Sequence, residues 1–530
     1  MSFIFSESLI KHLPALIIAL PLLAAFIIPL INKIGKESGF GKHFRNVFVV
    51  LAVLINSLLC FLLSAQIHKS GAMTYIMGGL KTALTLPSGN ILPIRIILNV
   101  DGFGVLMLVS CSIIAVGVMI YSLLNMDKCE HQSEYYALGM LIIAGINGIV
   151  MTGDLFNLFV FVEILSIASA GIISIWRSDK EAPEAAFKYL LISALSALFV
   201  LLGIAMLYNQ YGALNIAALA SMIQYTMLDK VALVLMIVGF AMKCGAIPLH
   251  MWLPDTYSRV PSPMAAMFVV ISQASLYALT RIAFSLFGIK MNTAVVGWII
   301  IILGLLSMFI GVLMALPQKD IKRLMAFHAI SQTGYMLLGI GVCVAVLAKP
   351  ESLNAFGITA LKGSIFHIVN HALYKGLLFL TAGALIYKLG TRNMNDMGGM
   401  AKKMPITTIL FIIGALAITG IPPFNGFASK FMIYESVFKF NPLLSIIAMV
   451  VSVLTLASFM KVFNSAFLGS ARKEHKQVSE VPFTMIFGML ILAVLVVLIG
   501  LFPGVVMDKF IEPAANALIN NAEYIRMVIP

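Results

Sequence analysis

The run FHIVNHALYKGLLFLTAGAL, from Phe366 to Leu385, places His367, His371 and Lys375 four residues apart inside a long apolar stretch. Residues at i and i+4 lie one above the other on a helix, so the three form one polar stripe. Imidazole titrates near neutral pH and suits stepwise proton passage. An ionisable group inside an apolar span reads as functional by default, although a lone membrane histidine also serves as a helix–helix hydrogen bond. The chemistry this stripe offers is proton or ion transfer.

Three further charges join it. At about 1.5 Å per residue, Glu163 in DLFNLFVFVEIL lies about 14 Å into a span whose hydrocarbon thickness is about 30 Å. Lys243 in GFAMKCGAIPLHMWLP and Lys375 fall near the middle of their spans by the same count. Five residues after Lys243, Pro248 interrupts the helix and frees backbone carbonyls, a break tolerated where protein, polar side chains or water take up the freed groups. A buried lysine loses proton affinity by desolvation and regains it beside a carboxylate, so a moving Glu163 could load or unload Lys243. The alternative for Glu163 is a salt bridge that fixes helix packing. A second interruption, ALAITGIPPFNGFASKFMIYE, carries Pro422 and Pro423 and then Lys430. His328 lies only about 9 Å into its span, where a structural role near the interface and a proton uptake role are both open. Lys188, Arg281, Lys461 and Lys362 lie near span ends, where snorkelling to the headgroups explains them.

The elements that position these groups are membrane helices. With 61% hydrophobic and 11% charged residues over 530 positions, the chain alternates apolar spans with short polar connectors, the pattern of an all-α polytopic membrane protein. Fourteen spans are expected, the eleventh and twelfth long enough to require a break or a steep tilt. The first is too long for a signal-peptide core and is followed by Lys33, Lys36, Lys42 and Arg45, so it is expected to stay. One lysine in each Pro-interrupted helix, the seventh and the twelfth, suggests two inverted five-helix units. The expected divisions are 1–133 for helices 1–3, 134–287 for the first unit, 288–469 for the second, and 470–530 for helix 14 and a short tail. The tail from Gly504 to Arg526 reads at most as an interfacial amphipathic segment.

Most loop Lys and Arg fall in connectors that leave odd-numbered spans, including the cluster Lys388, Arg392, Lys402 and Lys403. These loops are expected on the cytoplasmic side and both termini outside. The net charge of +13 then reflects loop placement and anionic headgroups rather than nucleic acid. Cys60, Cys111, Cys129, Cys244 and Cys343 show no CxxC pair and no cluster-binding spacing, and no dinucleotide or phosphate-loop fingerprint is present. No cofactor and no metal is expected on this chain, so any redox chemistry belongs to a partner.

At these residues the chain resembles the antiporter-like membrane subunits of respiratory complex I (the L, M and N type), the D-type subunit of multisubunit Mrp sodium/proton antiporters, and the matching subunit of membrane-bound hydrogenases. The resemblance runs from about Asp101 to Gly469. It rests on TGDLFNLFVFVE, AMKCGAIPLHMWLPDTYSRVPSP, KRLMAFHAISQTGYM, the His367/His371/Lys375 run and GIPPFNGFASKF. TGDLFNLFVF and the chain length look more like the Mrp D and hydrogenase branch, and the short tail lacks the lateral helix of the L type. The resemblance implies 14 helices in two inverted repeats around a polar axis. It implies that Glu163 and Lys243 are the coupling pair, that His371 and Lys375 lie on the connecting axis, and that Lys430 exchanges protons outward or toward the next subunit.

One position departs from the family pattern. Gln273 in ISQASLYALTRI stands where the family commonly has Lys or His, so this station carries no proton charge, although an amide can order water. His328 could supply the missing titratable group. The function expected is a proton- or ion-translocating subunit of a prokaryotic cytoplasmic membrane complex, with further antiporter-like subunits and peripheral redox subunits as partners. Sodium coupling and the energy source are left open. The alternatives are a structural or weakly active sibling interrupted at Gln273, and a haem protein using His328, His367 and His371. The second is disfavoured because two of these histidines share one helix face.

Overall fold

The computed structural model describes residues 7–35, 41–78, 84–85, 91–92, 96–127, 129–176, 179–470, 472, 475 and 477–528. Lys36, expected beside the first span, lies outside them. The chain opens with α1 (Glu7–Gly35) and α2 (Gly41–Ser70), then strands β1 (Ala72–Ile76), β2 (Leu84–Thr85), β3 (Ile91–Leu92) and β4 (Ile97–Asp101). Next come α3 (Gly102–Asn125), α4 (Gln132–Met151), α5 (Leu155–Ile173), α6 (Ala182–Tyr211), the short α7 (Ile216–Met222), α8 (Met227–Cys244), α9 (Trp252–Arg259) and α10 (Ser262–Arg281). The second half holds α11 (Thr293–Ala315), α12 (Ile321–Val346), α13 (Pro350–Ser352), α14 (Ile358–Leu389), α15 (Pro405–Thr419), α16 (Asn425–Phe440) and α17 (Pro442–Val462). It closes with α18 (Phe483–Leu501), α19 (Pro503–Val506), α20 (Glu512–Ile519) and α21 (Asn521–Val528).

Among the described residues, 12 helices are long and apolar enough to cross a bilayer by length and composition, and the protein is a multi-pass membrane protein. The difference from the expected fourteen falls on the two Pro-interrupted segments, which the structure divides into α8 with α9 and α15 with α16. Each first half ends on a left-handed glycine, Gly245 at φ +77° and Gly420 at φ +81°, with a proline three residues further on. Glycine takes this conformation without the Cβ penalty that other residues incur.

The spans of α10 and α12 are buried throughout and that of α14 mostly so, which puts these three at the centre of the bundle. Their polar residues therefore face protein and not lipid, the arrangement that intramembrane charge requires. Connectors leaving alternate spans gather at opposite ends. At one end, Arg259 pairs with Asp179 and Glu181, Arg392 with Asp179 and Asp320, and Arg323 with Asp255 at 3.1 Å. At the other, Lys290 donates to the carbonyls of Ala220 and Ser221, and Lys362 pairs with Glu512 at 2.7 Å. The up-and-down order of the helices follows from these meetings.

Two segments differ from the reading of the sequence. The connector after α2 forms a hairpin, with β1 antiparallel to β4 from Ala72↔Asp101 to Ile76↔Ile97. The tail is packed on the protein: Ile511, Ala514, Ala515 and Leu518 are buried, and a Cβ on Gly102 would stand 2.8 Å from the Pro513 carbonyl group. The close approach of α20 to α3 thus depends on a glycine. Arg281 also departs from expectation. It does not snorkel but forms a buried ion pair with Asp101, because β4 and α10 close over it. Lys461 donates to the carbonyls of Leu316 and Gln318, and Lys188 is an exposed partner of Glu184 and Asp255.

Candidate functional site

Glu163 owes its position to the turn before α5. Asp154 caps that helix, its side chain accepting from Asn157 N at 2.8 Å, and burial pushes its carboxyl up to about 6. Thr152 Oγ1 accepts from Asn157 Nδ2 at 3.1 Å, and Gly153 N donates to the Ile97 carbonyl on β4 at 2.8 Å. Asn215 holds the other side through the Gly153 carbonyl at 3.2 Å. The residues of TGDLFNLF are thus caps and ties that set the axial position of α5.

One helical turn beyond Glu163, Ser166 Oγ accepts from the Lys243 ammonium at 2.5 Å and donates to the Val162 carbonyl at 2.6 Å. Lys243 is buried in the last turn of α8, where the negative end of the helix dipole favours a cation. Glu163 is within electrostatic reach of Lys243, yet among the described residues its carboxylate makes no ion pair, and Oε1 is buried without a hydrogen-bond partner. The structure therefore holds the pair apart, with the lysine on a neutral hydroxyl. Across the break, Trp252 Nε1 donates to the Met242 carbonyl and Ile247 N to Ser307 Oγ, both at 2.9 Å, so freed backbone groups are taken up by protein.

The second cluster spans α12, α14 and α16. His367 uses both ring nitrogens, Nδ1 toward Ser429 Oγ at 3.0 Å and Nε2 toward Gln332 Oε1 at 3.2 Å. Tyr374 OH lies 3.3 Å from the same Nε2, and Asn370 donates to the Asn425 carbonyl and to Ser429. His371 points elsewhere, its Nδ1 2.9 Å from Gln273 Nε2 on α10. Lys375 is fully buried, its ammonium without a hydrogen-bond partner among the described residues and 5.7 Å and 5.9 Å from the rings of Phe379 and Phe459. The expected stripe is present on α14, but its three members face three different neighbours.

Lys430 sits on the second half of its broken helix and reaches back across the break. Its ammonium donates to the Ile418 carbonyl at 2.8 Å and to Ser452 Oγ at 3.0 Å, and lies 4.6 Å from the centre of the Tyr335 ring. Lys243 and Lys430 thus occupy opposite sides of their breaks. The two halves of the second break touch closely: a Cβ on Gly426 would stand 1.8 Å from the Ala417 carbonyl oxygen. Gly426→Ala is expected to force α15 and α16 apart at a cost of about 1–3 kcal/mol, lowering thermal stability and proton transport together. A variant with native melting and transport would show that the halves yield freely.

His328 is fully buried, with Nε2 2.8 Å from Ser458 Oγ and its ring 4.9 Å from that of Phe459. The titratable group in contact with Gln273 is His371, not His328. The doubly bonded His367 has no free nitrogen for an axial haem bond. Sequence reasoning missed Ser166, Gln332, Tyr374, Ser429 and Ser452, the neutral partners of the charges. For the first four the one signal was polarity inside apolar runs one to four residues from a titratable site; Ser452, 22 residues from Lys430, gave none.

Comparison with known proteins covers the region that holds these residues. The family described as NADH:quinone oxidoreductase/Mrp antiporter, TM matches residues 152–455, from the cap of α5 to α17. The D-type component of the Na(+)/H(+) antiporter of Alkalihalophilus pseudofirmus is 30% identical over 521 residues, covering 97% of this chain and 99% of that one. The N-type component of the NADH-quinone oxidoreductase of Desulforudis audaxviator is 32% identical over 524 residues, covering 95% and 98%. A chain of the membrane-bound sulfane sulfur reductase, an archaeal respiratory membrane complex, superposes with a TM-score of 0.84 at 27% identity, covering 98% of this chain and all of that one. Near-equal identity to the D-type and N-type relatives does not separate the antiporter branch from the redox branch. Full-length coverage, a matched central region and the shared architecture place the chain in the antiporter-like membrane subunit family of NADH:quinone oxidoreductases and Mrp antiporters.

Proposed function

We propose that this chain is the proton-translocating subunit of a multisubunit complex in a prokaryotic cytoplasmic membrane. The observation that carries the reading is three lysines, Lys243, Lys375 and Lys430, buried inside the bundle with no carboxylate in ion-pair contact among the described residues. Buried ammonium groups are costly unless paired, and they shed and regain protons as neighbouring charges move. Glu163 is the movable counter-charge for Lys243. His367, His371 and Lys375 lie along the connecting axis, His328 lines their flank, and Lys430 is the terminal exchanger. Residues 134–287 and 288–469 act as two units of inverted topology, an assignment supported by the matching Gly and Pro positions at the two breaks. Both termini lie outside, as the Lys- and Arg-rich connectors require.

The complex containing this chain, reconstituted in liposomes with a pH-sensitive dye, is expected to move protons. Complex purified without the chain, with the remaining subunits present, should lose that flux, and undiminished flux would overturn the reading. Partners identified by mass spectrometry after gentle isolation decide the energy source. Peripheral redox subunits would make the chain the pump of a respiratory complex, whereas small membrane partners and another antiporter-like subunit would place it in a secondary antiporter.

A further inference from the structure

Gln273 lies on α10, the helix between the Lys243 region and the His371 stripe, and is almost fully buried. One of its amide atoms stands 2.8 Å from the Ile368 carbonyl oxygen and 2.9 Å from His371 Nδ1. A backbone carbonyl only accepts hydrogen bonds, so the amide atom beside it is the NH2 group; the flipped amide would set two acceptors against each other. The second hydrogen of that NH2 then points at His371 Nδ1, which must present its lone pair. A neutral imidazole carries one proton, and here that proton sits on Nε2. His371 Nε2 is itself buried and has no protein partner among the described residues. Protonating Nδ1 would oppose two N–H groups at a site closed to bulk water and leave the amide donor unsatisfied.

We propose that Gln273 is a positioning residue that holds His371 in the Nε2–H tautomer and seals its Nδ1 against protons. An imidazole relays a proton when one nitrogen accepts as the other releases. With Nδ1 sealed and Nε2 already protonated, neutral His371 has no nitrogen free to take a further proton, so it stands on the path as a fixed Nε2–H donor and no proton passes through it toward α10. The Glu163–Lys243 half and the half built on α12, α14 and α16 then communicate across this point by charge rather than by proton handover. The consequence for transport rests on the proton-moving reading above; the tautomer does not.

The test is nitrogen-15 NMR of the histidine-labelled, fully assembled complex, with the His371 signals assigned by difference from His371→Asn. At neutral pH the native protein is expected to show a pyridine-type Nδ1 and a pyrrole-type Nε2. In Gln273→Glu an ionised carboxylate can only accept, so Nδ1 should become pyrrole-type, in the exchanged tautomer or in an imidazolium. In Gln273→Leu the donor is gone, and both tautomers should be populated. A pyrrole-type Nδ1 or an imidazolium in the native protein would overturn the proposal, as would unchanged signals in both variants. The native and Gln273→Glu measurements suffice if Gln273→Leu does not assemble. Failure of the functional reading would look different, with proton flux unaffected by Lys243→Ala while the His371 signature stays intact.

Discussion

Lys243→Ala is expected to bring proton flux through the assembled complex down by at least about 100-fold, the lower end of what a positioned acid–base group contributes to a proton-transfer step. The reason is geometric. The Lys243 ammonium joins α8 to α5 through Ser166, one turn from Glu163. Alanine leaves Glu163 without a proton partner. Assembly should survive, because the lost interaction is a single bond to a neutral hydroxyl, while a central membrane charge costs about 2.5–3.5 kcal/mol on insertion scales. Glu163→Ala and Lys430→Ala should behave alike, and Lys243→Met separates charge from packing. Dye-quenching assays on inverted vesicles, with a native gel to confirm assembly, measure the effect. Full transport in all three alanine variants sinks the mechanism. Retained transport in Lys243→Ala alone would point to the sibling whose path is interrupted at Gln273.

The largest stability effect is expected at Asp101. Its Oδ1 accepts from Phe103 N at 3.1 Å and Gly104 N at 3.0 Å, capping α3, and also pairs with Arg281, the two side chains being only 6% and 7% exposed. Arg281 is further held by Tyr277 OH at 2.9 Å and lies beside the rings of Phe103 and Tyr524. Asp101→Ala strands a buried guanidinium, which typically costs about 3–5 kcal/mol, and removes a helix cap worth about 1 kcal/mol more. Asp101→Asn keeps the cap and should recover only the smaller part. Adding Arg281→Met to Asp101→Ala should restore much of the loss, since the orphaned charge is then gone. Thermal unfolding in detergent reads all three. An Asp101→Ala protein that melts with the native one would mean the pair is not closed off from water.

How much of this was legible before folding varies with the range of the interaction. The spans were legible because bilayer thickness imposes a length on any apolar helix, and the breaks because proline removes a backbone donor wherever it stands. The hairpin β1–β4 was not legible, since its short strands pair across a connector with no alternating pattern strong enough to signal them. Arg281 was misjudged for a related reason. Distance from a span end is a local quantity, whereas its partner Asp101 is 180 residues away in the chain. The tail was judged by its amphipathic face alone, and that face is covered by α3 and α7.

The sequence by itself determined the class of protein and the two interrupted helices and singled out Lys243, His367, His371, Lys375 and Lys430, all of which the fold buries, because hydropathy, proline and charge act through the bilayer and need no tertiary partner. Only the tertiary structure decided what each charge touches. It put Lys243 on Ser166 rather than on Glu163, sent Lys430 back across its break to a carbonyl, gave His371 to Gln273, and left Lys375 among aromatic rings. In a medium without water a buried polar group takes whichever neutral donor or acceptor the packing brings near, and hydropathy along the chain says nothing about which helix that will be.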